Sequence, residues 1–218
     1  MDAYVSEQEQ VEQIRRWWKN NGNALLLGLA LGIGGLAAWR YWDATQSARA
    51  ESASQNYEQL IEMAAAQKID DAMKAGHAII ESYPDSVYAK LSGLLVAKMA
   101  VEKNDYAQAK AELQRMLDSD GHGELADVAR ERLARLLLAE GKADDAFKLL
   151  QNIAPVDGED SIAELRADVL AARGDIKGAR TKYLEALAGA DKLGLDRDSI
   201  QLKLDNLSSP TAAQNHGS

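Results

Sequence analysis

The segment Asp105-Tyr106-Ala107-Gln108-Ala109 has three counterparts in the chain: Lys68-Ile69-Asp70-Asp71-Ala72, Lys142-Ala143-Asp144-Asp145-Ala146 and Asp175-Ile176-Lys177-Gly178-Ala179. Their final alanines are spaced 37, 37 and 33 residues apart. Asn104, Gly141 and Gly174 stand directly before three of the four. A tight turn between helices needs such residues, because they tolerate positive φ. The register extends outward from each alanine. Twelve residues upstream lie Leu60, Ala97, Ala134 and Ala167; four downstream lie Gly76, Leu113, Leu150 and Tyr183; seven downstream lie Ile79, Met116, Ile153 and Ala186. Offsets of four and seven fall on one helix face. The alanines mark where two helices cross so closely that larger side chains would hold them apart.

Helix pairs with small residues at the crossing resemble the tetratricopeptide repeat, whose period is about 34 residues. This predicts repeats over about 53–86, 90–123, 127–160 and 160–193. A last amphipathic segment, 196–207, carries Ile200, Leu204 and Leu207 on one face. Repeat arrays need such a helix to cover the exposed end of their core. Two departures from the repeat are visible. The aromatic near its start is absent from all four units, and Gly76 stands where the first unit should have a large residue. Residues 208–218 lack apolar periodicity and are expected to be disordered.

Upstream of the repeats, residues 24–39 read ALLLGLALGIGGLAAW, and no charge occurs between Lys19 and Arg40. At about 1.5 Å per residue that interval approaches the roughly 30 Å of a bilayer's hydrocarbon core. All four tryptophans flank it, Trp17 and Trp18 before, Trp39 and Trp42 after, with Arg40 and Tyr41 beside the second pair. An indole has an apolar body and one N–H donor, which suits the headgroup level. The stretch therefore predicts a transmembrane helix over 22–42, with Trp17, Trp18, Trp39, Arg40, Tyr41 and Trp42 as anchors. Cleavage as a signal peptide after Gly35-Leu36-Ala37 would leave Trp39-Arg40-Tyr41-Trp42 one residue from the start of the product, a poor start for a soluble protein. The match of Gly32 to Ala37 with G-x-G-x-x-A lacks the strand and amphipathic helix of a dinucleotide site. Gly28 and Gly32 form a G-x-x-x-G that permits close contact with another membrane helix.

Residues 1–21 read as a cytoplasmic amphipathic segment. Ser6 and Glu9 form a capping-box pair, and Val11, Ile14, Trp17 and Trp18 oppose Glu12, Arg15, Arg16 and Lys19. Asn20-Asn21-Gly22 should break this helix before the span begins. No further break is expected until about Gln67. Arg15, Arg16 and Lys19 precede the span against Arg40 and Arg49 after it, so the positive-inside rule favours a cytoplasmic N-terminus and an exported domain over 43–207.

The chain has 218 residues and a net charge of −9, all of it arising after residue 42. An acidic domain without grouped Lys and Arg argues against nucleic-acid binding. There is no cysteine, which removes disulfides and thiolate metal sites. His77, His122 and His216 have no metal-ligand spacing, and no nucleophile elbow or phosphate loop occurs. Asp70-Asp71 and Asp144-Asp145 recur at one repeat position and read as charges favouring a helix N-terminus, not as an acid–base dyad. The chain is therefore expected to be no enzyme, and to need no cofactor, metal or small-molecule substrate.

The block from Gln10 to Trp18, with Asn21-Gly22, the glycine-rich span and Trp39-Arg40-Tyr41-Trp42, resembles the YfgM family, the ancillary subunit of the SecYEG translocon. The resemblance implies an all-α, single-span bacterial inner-membrane protein whose tetratricopeptide-like α-solenoid faces the periplasm. It implies association with the Sec translocon and with a periplasmic chaperone such as PpiD, as an adaptor during protein export. In tetratricopeptide arrays the first helix of each pair lines the groove. The alanine register then puts Tyr57, Lys98, Glu131, Arg135, Glu164 and Asp168 on a partner groove. Two other readings use the same parts: a cell-envelope scaffold for division or outer-membrane assembly, and an anchored regulator that sequesters a cytosolic protein through residues 1–20.

Overall fold

The computed structural model describes residues 7–154 and 162–207, in which nine helices and no strand occur. All four repeated segments follow a single left-handed residue: Gln67 (φ 59°), Asn104 (61°), Gly141 (77°) and Gly174 (82°). The hydrogen bonding around each is the same. The left-handed residue donates its N–H three residues back, to Ala64, Val101, Leu138 and Ala171; the next residue donates five back, to Met63, Ala100, Leu137 and Leu170. This pair of bonds is the Schellman termination, which satisfies carbonyls that a helix end would otherwise leave open. Gln67 makes the first turn with neither glycine nor asparagine.

Helix α1 (Glu7–Ala65) precedes the first turn, followed by α2 (Ile69–Ser82), α3 (Val87–Glu102), α4 (Tyr106–Ser119) and α5 (Glu124–Ala139). Then come α6 (Ala143–Leu150), α7 (Ala163–Ala172), α8 (Ile176–Leu193) and α9 (Arg197–Asn206). The second helices of the pairs start in two ways. Asp105 and Asp175 accept the N–H of Gln108 and Gly178 in α4 and α8, whereas α2 and α6 lack a side-chain cap and carry Asp70-Asp71 and Asp144-Asp145 in their first turns. A capping bond and a first-turn carboxylate both offset the open N–H groups there.

The chain divides into two compact units, Met1–Ser54 and Gln55–Ser218. In the second, the register alanines Ala72, Ala109, Ala146 and Ala179 are completely buried, as are Leu60, Ala134 and Ala167. There is no single core. Four apolar clusters follow one another, each shared by neighbouring helices: Leu60 with Ile79, Val96 and Met99; Leu94 with Leu113 and Leu133; Leu150 with Leu165 and Val169; Tyr183 with Leu187, Ile200 and Leu204. Such stacking makes each repeat depend on its neighbours alone. Helix α9 supplies Ile200 and Leu204 to the last cluster, and Asp196 caps it by accepting the Ser199 N–H.

The residue closing each first helix reaches back to the preceding second helix. Lys103 meets Asp70 at 2.5 Å, Glu140 meets Lys110, and Arg173 Nε meets Asp144 at 2.8 Å while its guanidinium covers the Phe147 ring at 3.9 Å. Asp70 and Asp144 thus serve the neighbouring repeat as well as their own helix ends. The hydrogen bond from Lys103 holds the Asp70 carboxyl below its usual range, and bonds from Lys110 and Lys142 do the same for Glu140.

In the first unit, α1 runs unbroken through Asn20-Asn21-Gly22, contrary to the expected break. The side-chain amide of Asn21 donates to the Trp17 carbonyl at 3.1 Å, and Gly22 is buried against the Trp18 indole, so both residues are used inside the helix. The discontinuity is a 48° bend between Ile14–Asn23 and Leu26–Ala65. No single helix among the described residues is long and apolar enough to cross a membrane, but this bent pair is, by length and composition. Leu26, Leu27, Leu29, Leu31, Ile33 and Leu36 are all exposed. The Ser6 capping pair and residues 208–218 lie outside the described residues.

Candidate partner-binding face

The first helices of successive pairs touch, α3 with α5 and α5 with α7, so they form one continuous face. Sequence register assigned six residues to it, and their surroundings differ. Tyr57 is half-buried against the first apolar cluster, its ring centroid 5.7 Å from that of Tyr88, and burial raises its phenol. Lys98 is exposed and meets Glu102 one turn on at 3.6 Å. Glu131 and Arg135 pair at 2.9 Å. Lys98 and Arg135 also border a cleft of about 290 Å³ with Ala97, Val101, Leu113, Arg132 and Leu136. Arg132 escaped the sequence reading although it lies three residues before Arg135, on the same helical flank.

Glu164 and Asp168 are brought together elsewhere. Lys203 of α9 donates to Glu164 at 2.7 Å and to Asp168 at 2.8 Å, and the Tyr183 hydroxyl donates to Asp168 at 2.5 Å. These bonds tie α7, α8 and α9 into one end piece. Burial, then the Asp168 bond and the nearby carboxylates, pushes the Tyr183 phenol well above its usual value. For Lys203, burial opposes the charge, but the bonds to Asp168 and Glu164 outweigh it and the net shift is upward. Both groups bind protons more tightly folded than unfolded. Their stabilisation is complete below their ordinary values, about pH 10, and is lost as pH rises through the raised ones. Thermal melts of the full chain from about pH 8 to about pH 11.5 should fall on the alkaline side, more shallowly in Tyr183→Phe. An unchanged slope in that variant would assign the fall to other groups.

The remaining expected residues lie in α1. Trp17, Trp18, Trp39, Tyr41 and Trp42 are each more than half exposed, and Arg40 is exposed. At Gly28 and Gly32 an added Cβ would meet nothing within 4 Å, so no close approach among the described residues accounts for these glycines. His77, which has no metal-ligand spacing in the sequence, is half-buried. Its Nε2 lies 3.0 Å from Oε1 of buried Glu112, which Arg115 also meets at 2.7 Å. No cluster of three metal-ligating groups occurs among the described residues.

Stacked helix pairs joined by left-handed turns, with a completely buried alanine in each of the four repeated segments, define a helical-repeat protein. The family model described as a tetratricopeptide repeat-like domain matches residues 15–209. An ancillary SecYEG translocon subunit of Escherichia coli (strain K12) is 34% identical, covering 95% of this chain and 100% of its own length. Proteins of the same name from Haemophilus influenzae (28%, covering 93% and 98%) and Neisseria gonorrhoeae (27%, covering 95% and 100%) are also similar. The chain belongs to this YfgM family of tetratricopeptide-like ancillary SecYEG translocon subunits.

Proposed function

We propose that the chain is a non-catalytic adaptor of the bacterial inner membrane, held beside the Sec translocon by one spanning segment, residues 22–42. The observation that carries this is a Trp-flanked apolar stretch whose Leu26, Leu27, Leu29, Leu31, Ile33 and Leu36 are exposed, in a chain whose full-length relatives are named translocon subunits. Arg15, Arg16 and Lys19 set its direction, N-terminus in the cytoplasm and repeats in the periplasm. Residues 11–21, on the N-terminal side of the bend, lie in the membrane interface with Val11, Ile14, Trp17 and Trp18 toward lipid. Gly28 and Gly32 offer the small face on which a translocon helix can rest. The repeats then present the α3–α5–α7 face where exported chains emerge. A periplasmic chaperone such as PpiD docks there and gains effective concentration from the tether instead of tight intrinsic affinity.

Photocrosslinkers placed in cells along Leu26–Leu36, and separately at Lys98, Glu131 and Arg135, test both halves. Translocon-channel adducts from the first set and chaperone adducts from the second are the expected results. Adducts with division or outer-membrane assembly proteins, and none with the channel, would favour a cell-envelope scaffold. Capture through residues 1–20 alone would favour a regulator of a cytosolic protein.

A further inference from the structure

The cleft between α3, α4 and α5 has an apolar floor of Ala97, Val101, Leu113 and Leu136 and a rim of Lys98, Arg132 and Arg135. Three cations around one cleft are conspicuous here, because the chain carries −9 and its excess of acids lies wholly after residue 42. Arg132 is held in place by α3, donating to the Leu94 carbonyl at 3.1 Å. That bond engages one of the five N–H donors of a guanidinium. Lys98 and Arg135 pair with Glu102 and Glu131 on their own helices, and in each pair the cation is more than half exposed. Exposed pairs one turn apart are weak, so a better-placed carboxylate can displace the resident one. The volume, about 290 Å³, stands at the small end of ligand sites, which start at about 300 Å³. It suits one aliphatic side chain rather than a whole helix.

We propose that this cleft binds an acidic peptide segment, seating one Leu- or Val-sized side chain on the floor while flanking Asp or Glu carboxylates face Lys98, Arg132 and Arg135. The proposal rests on the reading of the α3–α5–α7 face as the binding face and specifies what that face selects. Arginine suits the task because its fork can grip a carboxylate with two parallel bonds.

The probe is a fluorescein-labelled, end-capped peptide, Gly-Glu-Glu-Leu-Glu-Glu-Gly, titrated with the full chain in detergent micelles and read by anisotropy. Saturable binding is expected, weakened about tenfold or more by the triple charge reversal Lys98→Glu/Arg132→Glu/Arg135→Glu. It should also weaken when serine replaces the peptide's leucine, and when salt rises from about 0.05 to about 0.5 M. Circular dichroism checks that the triple variant folds. Should it fail, Val101→Asp puts a repelling charge on an exposed floor residue and should weaken binding similarly. Affinity within about twofold of wild type in the folded variant, equal binding of the peptide with lysine for glutamate, or no saturable binding would overturn the proposal. If the peptide fails while a crosslinker at Arg135 still captures a chaperone, this inference falls and the groove reading stands. If both fail, the groove reading falls with it.

Discussion

Gly76→Ala is expected to destabilise the protein by about 2 kcal/mol, and Gly76→Leu by more, since forcing atoms into a filled core costs about 1–3 kcal/mol. A Cβ at Gly76 would stand 2.5 Å from Val96 Cγ2, with Leu60 methyl carbons at 3.7 and 3.9 Å. The sign is the informative part. Glycine within a helix is normally about 1 kcal/mol worse than alanine, so the same change usually stabilises. Gly93→Ala supplies the contrast: its nearest neighbour would be Ile80 Cδ1 at 4.0 Å, an ordinary contact, and it should gain up to about 1 kcal/mol. Urea unfolding of the full chain in micelles measures both. Val96→Ala should recover much of the Gly76→Ala loss, as residues in contact do in a double-mutant cycle. Equal signs for the two glycines would show that the approach of α3 to α2 is looser than the geometry has it.

The double substitution Leu29→Arg/Ile33→Arg is expected to release the chain from membranes, on the proposed spanning of residues 22–42. Each arginine near the centre of a spanning helix costs about 3 kcal/mol, so the pair removes about 6 kcal/mol of insertion. Both leave the repeats untouched, because these side chains are exposed and belong to the first compact unit. Carbonate extraction of cell membranes reads the outcome. Wild type should stay in the pellet and the variant should move to the supernatant. A variant that remains in the pellet would mean that residues 22–42 do not hold the chain by insertion.

Local chemistry was legible in the chain before any coordinates. Ala72, Ala109, Ala146 and Ala179 announced four close helix crossings, and Asn104, Gly141 and Gly174 announced three left-handed turns, because each is a constraint on one residue's own size or φ. Apolar composition between Lys19 and Arg40 is likewise a property of the stretch alone. Other features needed partners that lie far away in sequence. Gly76 departs from the first repeat's pattern because Val96 packs over it. Lys203 meets Glu164 and Asp168 from 39 and 35 residues away, and His77 meets Glu112 from 35. Arg132 acquires its setting from the Leu94 carbonyl, 38 residues upstream. Size and φ preference travel with each residue, whereas a shared cleft or a bridged charge exists only after stacked repeats bring their side chains to within about 3 Å.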